Sequence, residues 1–129
     1  MSILKFFSVQ DANEAITVIR PILAEIQEIR TRILASRPEL WDAMQRAAGN
    51  GGSAELTQMT SDFEHLDSLV HRILDTGAEI KDLASGLLDF RAQRNGSEVY
   101  LCWKMDENEV LFWHDLNAGF GGRQPIATF

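Results

Sequence analysis

Apolar positions recur along the first half of the chain at helical spacing. Ala15, Ile19, Ile22, Ile26, Ile29 and Ile33 follow one another at steps of four and three, and Ile16 and Leu23 widen the stripe to that of a core-facing helix. Ser8 followed by Asp11 marks the start as an N-cap with a capping-box partner, and Phe7 stands where a hydrophobic staple would. Pro21 falls inside the pattern and removes a backbone bond, so a kink or restart is expected near Ile19-Arg20. Pro38 allows a second restart into Leu40, Trp41, Met44 and Ala47. The helical region therefore spans 8–48, and GNGGS at 49–53 ends it in a short turn. Leu56, Met59, Phe63, Leu66, Val70 and Ile73 then predict a second long helix over 53–76, closed by Gly77. Two such helices joined by a short glycine turn make an antiparallel hairpin.

Beyond residue 79 the period changes to two. Leu88-Phe90 alternates with Leu87-Asp89-Arg91, Asn95-Gly96 marks a tight hairpin turn, and Val99–Lys104 and Val110–Asp115 read as strands around a polar MDENE loop. A short strand at Glu79–Asp82 is expected before them. The fold class is α+β: a helical hairpin packed on a three- or four-stranded antiparallel meander, with 79–129 forming the meander and a glycine-rich tail. No repeat or linker divides the chain, so 1–129 is one domain. In the third and fourth strands Tyr100, Cys102 and Phe112 line the face opposite Leu101, Trp103, Leu111 and Trp113. Neither face is plainly polar, whereas antiparallel sheets usually wet one side. The C-terminal tail, the N-terminal ILKFF segment or a second copy should cover it, and a homodimer is the expectation.

A chain of 129 residues with 45% hydrophobic and 24% charged residues can fold without disulfides or metals. The single cysteine, Cys102, and the polar DANE after MSILKFFSVQ point to a cytoplasmic protein with no signal peptide and no membrane span. The net charge of −7 arises wholly in residues 51–129, which carry six Lys/Arg against thirteen Asp/Glu. Such an acidic balance argues against nucleic-acid binding. Arg20, Arg30, Arg32, Arg37 and Arg46 lie among Glu25, Glu28, Glu39 and Asp42 and read as a solvated mixed-charge face.

The run Gly77, Lys81-Asp82-Leu83, Gly86-Leu87, Asp89-Phe90, Val99-Tyr100-Leu101-Cys102-Trp103, Trp113-His114 and Gly119 to Ile126 resembles a family of small bacterial proteins known as a domain of unknown function. The opening, from Lys5-Phe6-Phe7-Ser8 through Ala12-Asn13 to Arg20-Pro21, is similar to that family as well. The resemblance implies bacterial origin and makes the meander and GFGGRQP part of the domain's identity. It brings no catalytic residue with it.

Candidate chemistry lies toward the C-terminus. Gly119, Gly121 and Gly122 can bare successive N–H groups and Arg123 can clamp an anion, although no P-loop sequence follows and a sharp packed turn explains the same residues. His114 is a candidate acid/base at a strand end, oriented by Asp82, Asp89 or Glu98 rather than by its neighbour Asp115, which points to the opposite face. Lys81 with Asp89, or Asp82 with Arg123, could equally form plain ion pairs. Cys102 as a nucleophile is the weaker reading, because its strand is apolar. Asp67, His71 and Asp75, with Asp62 three residues before His65 and Glu25 and Glu28 facing them, read as a solvated acidic face rather than a metal site. No metal or cofactor is expected. These residues favour a dimeric binding module that recognises a partner or small anion through its C-terminal edge, using Lys81, Gly121, Gly122 and Arg123. The alternative is an enzyme with His114 as acid/base and Arg123 as anion clamp.

Overall fold

The computed structural model describes residues 5–49 and 61–129. Helix α1 (Val9–Ser36) starts at Ser8, whose hydroxyl accepts the Asp11 N–H at 3.0 Å while the Asp11 carboxylate accepts the Ser8 N–H at 3.1 Å. The helix runs through Pro21 without the restart expected there. Ile19, Ile22 and Leu23 are buried on both sides of the proline, so core packing keeps the two parts in one helix across the missing bond. The break comes at Arg37, and α2 (Pro38–Ala47) opens on Pro38 at its first turn. Helix α3 (Ser61–Asp75) closes at Gly77, where φ is +98° and a Cβ would stand 3.1 Å from the Phe7 ring. Positions 50–53 of the expected turn, and Leu56 and Met59 of the expected helix, lie outside the described residues. Arg32 pairs with Asp62 at 2.7 Å and Glu25 with His65 at 3.2 Å, a falling-against-rising order that makes α1 and α3 antiparallel.

Among the described residues the sheet has five strands: β1 (Glu79–Asp82), β2 (Leu87–Arg94), β3 (Ser97–Lys104), β4 (Phe112–Asp115) and β5 (Gln124–Pro125). They run in chain order with every neighbour antiparallel, so the meander is one strand longer than expected. The added strand is only two residues, too short to show a period, and follows a 3-10 turn at Phe120–Gly122. Asn95 and Gly96 both take positive φ, 52° and 83°, the two-residue turn that matches strand twist.

One face of the sheet is the core face. Leu88, Phe90, Ala92, Val99, Leu101, Trp103 and Trp113 are buried in a single apolar cluster with the α1 stripe and with Phe63, Leu66, Leu69, Val70 and Ile73 of α3. Each large side chain in it contributes about 1.5–3 kcal/mol by burial. Beyond Asp89, β1 no longer pairs with β2, and the Phe7 N–H instead donates to the Arg91 carbonyl at 2.8 Å. The N-terminal segment thus covers an otherwise open strand edge, and its Phe7 ring packs 5.1 Å from Phe90.

Arg20 departs from the mixed-charge face expected of it. Its guanidinium donates to the carbonyls of Met105, Glu107 and Asn108 at 3.0, 3.1 and 3.0 Å and lies over the Trp103 ring. Asn13 accepts the Val110 N–H at 2.8 Å. Two polar residues of α1 therefore fasten the MDENE loop, a role that side-chain periodicity cannot reveal. No helix of the described residues is long and apolar enough to cross a membrane.

Candidate functional site

Strand register assembles the site on the outer face of the sheet. Asp89 stands opposite Cys102, Arg91 opposite Tyr100, and Tyr100 opposite His114. Alternation turns all five side chains away from the Phe90–Leu101–Trp113 face. Asp89 and His114 are nevertheless buried, 4% and 2% exposed. His114 Nε2 lies 3.2 Å from each Asp89 carboxylate oxygen, and Nδ1 lies 2.7 Å from the Asp115 carbonyl oxygen. The Asp115 carbonyl can only accept, so Nδ1 donates to it, and one proton between Nε2 and the Asp89 carboxyl makes the second contact a hydrogen bond. Asp89 is thus the orienting carboxylate among the three considered, and Asp115 contributes its backbone only.

Cys102 completes the floor. One donor atom each from Asp89, Cys102 and His114 lies within 4.8 Å of the others. Burial first, then the Asp89 charge, push the Cys102 thiol up to about 12, with Arg123 working against them. The thiol is therefore protonated at neutral pH and poorly nucleophilic.

Beside the floor is an ionic group that sequence reading did not find. Tyr100 donates to Glu79 at 2.9 Å and accepts from Arg91 at 2.9 Å, while Arg91 also reaches Glu98 at 3.0 Å. Lys81 pairs with Glu79 at 3.2 Å rather than with Asp89, and its ammonium lies 4.9 Å from the Tyr100 ring centre. Burial acts to raise the Glu79 carboxyl, but the bonds from Tyr100 and Lys81 outweigh it and hold the group below its ordinary range. Burial raises the Tyr100 hydroxyl, and Glu79 adds to that rise. Burial opposes the charge on Lys81, but its bond to Glu79 raises it on balance.

A cavity of about 210 Å³ lies over these groups, lined in part by Lys81, Leu87, Tyr100, His114, Gly119 and Phe120. The C-terminal turn therefore covers part of the outer face within one chain. Asp82 stands elsewhere, and Arg123 lies beside Cys102 without lining the cavity. Asp82 accepts the Ser85 N–H at 3.0 Å and caps the turn between β1 and β2, where it orients neither His114 nor Arg123. Arg123 is bound to Glu107 at 2.6 Å, donates to the Cys102 carbonyl at 3.4 Å, and covers the Phe112 and Phe120 rings. Its guanidinium is engaged within the fold, the arrangement of the packed-turn alternative, with Glu107 as the carboxylate. Gly122 meets the Ala118 Cβ too closely for any side chain, whereas a Cβ on Gly121 would meet nothing within 4 Å. The glycine segment is a packed turn. On α3, His71 pairs with Asp67 at 3.7 Å, and Asp67 also accepts the Gly49 N–H at 2.6 Å.

The signal for the Asp89–Cys102 pairing was present in Asn95-Gly96. A two-residue turn pairs Arg94 with Ser97, and counting back along both strands sets Asp89 opposite Cys102. The position of His114 needed the length of the 105–111 loop as well, which the residues do not encode as simply.

A family model described as an uncharacterized conserved protein, DUF2203, matches residues 5–126. The chain belongs to that family. Neither a curated protein nor a solved structure matches it.

Proposed function

We propose that this family member is a homodimeric binding module that takes a small anion into the outer-face cavity between Lys81, Tyr100, His114 and the turn at Gly119-Phe120. The observation that carries the reading is a buried carboxylate–imidazole pair, Asp89 with His114, at the floor of a cavity bordered by Lys81. Buried ionic groups are costly, and a buried pair at the floor of a cavity is a candidate site with a physical rationale. Lys81 borders the cavity and is paired with Glu79, while the Asp89 carboxylate meets the His114 ring at its floor. A cavity of about 210 Å³ is smaller than a drug-sized ligand fills, and suits an anion of a few heavy atoms. Leu116 and Phe120, 37% and 46% exposed, form an apolar rim on the C-terminal edge, which supports docking of a second copy there.

Catalysis by His114 with Arg123 as clamp has less support. Both imidazole nitrogens are engaged, and Arg123 is bound to Glu107 away from the cavity lining.

Calorimetric titration of metal-free protein with acetate and with inorganic phosphate tests the anion site. Saturable binding of one of them, weakened roughly fivefold or more in Lys81→Gln, is expected from the loss of one charge-assisted contact of about 1 kcal/mol. No heat and no rise in melting temperature with either anion at tens of millimolar would remove the anion reading. Sedimentation of a single monomeric species at tens of micromolar would remove the dimer.

A further inference from the structure

The side chains at the cavity floor are three different donors held at one point. His114 Nε2, an Asp89 carboxylate oxygen and Cys102 Sγ lie within 4.8 Å of one another, and all three residues are buried. A tetrahedral zinc ion with bonds of about 2.0–2.3 Å spaces its donors about 3.3–3.8 Å apart. The Nε2–carboxylate separation of 3.2 Å is already at that scale, and the sulfur lies within 4.8 Å of both partners. The three donors come from β2, β3 and β4, whose ladders set Asp89 opposite Cys102 and His114 opposite Tyr100, two residues from Cys102 on the same face. Donors on paired strands hold their geometry more tightly than donors on loops.

A second, independent observation concerns the ring of His114. Nδ1 lies 2.7 Å from the Asp115 carbonyl oxygen, which can only accept, so the Nδ1 position carries the proton. That arrangement is the outer bond that fixes a metal-binding imidazole. In the neutral ring the Nε2 lone pair then points at the carboxylate of Asp89, an approach that is repulsive until a cation lies between them. A second ring proton is one such cation. A proton held on the carboxyl serves equally, and a metal ion is the alternative that also engages the sulfur as a third donor.

We propose that Asp89, Cys102 and His114 bind one divalent transition-metal ion of the zinc class, with a fourth coordination position open to the cavity. One thiolate, one imidazole and one carboxylate form a borderline-soft set, which suits zinc better than magnesium or calcium. Three protein donors with one open position are the coordination of a site that takes a further ligand, whereas purely structural zinc sites close all four. The open side faces Leu87, Leu116 and Phe120, with Lys81 among the lining residues, so the fourth ligand is water or a small anion. Coordination releases the Cys102 thiol proton to solvent, together with the Nε2 proton where the ring carries one. The inference deepens the cavity reading and rests on it for the identity of the fourth ligand alone.

Cobalt(II) is the probe, titrated into full-length protein stripped with a chelator. Cys102 is the only cysteine, so a thiolate-to-cobalt charge-transfer band reports this site and cannot come from the surface residues His65 and His71. The expected result is saturation at one cobalt per chain, displacement by zinc, and loss of the band in Cys102→Ser with affinity lowered more than about tenfold. Asp89→Asn should weaken binding as well. If that variant does not fold by circular dichroism, Cys102→Ala replaces it as a buried apolar substitute. Absence of the band in folded wild-type protein at saturating cobalt overturns the proposal, and so does cobalt affinity unchanged in Cys102→Ser. Acetate and phosphate titration of the metal-free protein reads the anion site separately. Anion binding without the cobalt band refutes the metal alone, and the band without anion binding refutes the anion reading alone.

Discussion

Arg123 and Glu107 meet at 2.6 Å between the C-terminal edge and the loop after β3, with side chains 12% and 13% exposed. The same Glu107 oxygen accepts the Lys104 N–H at 2.8 Å, and the Glu107 carbonyl accepts from Trp103 Nε1 at 2.9 Å. One residue thus ties a loop, a core tryptophan and the final strand together. Glu107→Ala leaves the guanidinium poorly exposed and unpaired, and should cost about 2–3 kcal/mol in denaturant unfolding, a little under the figure for a fully buried pair. Replacing both partners by methionine should recover much of that loss, because no orphan charge remains. A Glu107→Ala protein within about 0.5 kcal/mol of wild type would show that the pair contributes no more than a surface contact.

The three glycines near the C-terminus have separate physical reasons, and alanine substitution should separate them. At Gly122 a Cβ would overlap the Ala118 Cβ, and at Gly119 φ is +65° in otherwise open space. Gly121 has neither constraint. Gly122→Ala should therefore destabilise most, Gly119→Ala by about 1 kcal/mol for the left-handed backbone, and Gly121→Ala hardly at all. Ala118→Gly in the Gly122→Ala background should restore stability, since it removes the overlapping atom. Thermal unfolding of the four proteins checks the order. Equal losses at all three positions would point to a role for the whole segment other than turn geometry.

Local patterning made most of the architecture legible. The Ser8–Asp11 capping box, the Ile19–Ile33 stripe, the restart at Pro38, the Gly77 cap and the Asn95-Gly96 turn all act within a few residues of where they are read. What escaped depends on distant partners. Pro21 stays within one helix because the core holds both sides, and β5 is a strand only because β4 lies beside it. The site divided in the same way. His114, Asp89 and Cys102 each stood out in apolar strands, but only register brings all three to one point, and Arg123 stayed open between an anion clamp and a packed turn because Glu107 gave no sign of being near it.

Glu79 gives acid stability a testable component. Its carboxyl is held below the ordinary range by Tyr100, Lys81 and Arg91, against the opposing effect of burial. A depressed folded value means that the contribution is complete above the ordinary carboxylate range and is lost as pH falls through the depressed value. Glu79→Gln should therefore be less stable than wild type at neutral pH, and the gap should close in the acid range as the wild-type carboxyl protonates. Urea unfolding at a series of pH values measures the gap. A gap independent of pH down to strongly acid conditions would mean that Glu79 acts through shape and not through its charge.

Arg20 should matter more than its place on a long surface helix suggests. It supplies three bonds to the carbonyls of Met105, Glu107 and Asn108 while lying 5.2 Å from the Trp103 ring centre. An ammonium cannot reproduce that planar fork, so Arg20→Lys should cost about 2 kcal/mol despite keeping the charge. Faster hydrogen exchange and proteolysis confined to residues 105–110 should accompany the loss. Uniform acceleration over the whole chain would place the effect in the helix instead.

Cys102 provides the sharpest chemical check on the outer face. Burial and the Asp89 charge raise its thiol to about 12, which leaves a thiolate fraction on the order of 10⁻⁵ at neutral pH. Iodoacetamide should leave the native metal-free protein unlabelled over hours, and one label per chain should appear promptly in denaturant, since the chain has a single cysteine. Asp89→Asn removes one of the raising influences and keeps the shape, so in that variant the midpoint of thiolate absorbance should fall while the burial effect persists. Labelling of the native protein within tenfold of the unfolded rate would mean that the cavity floor opens far more often than a buried Asp89–Cys102–His114 group allows.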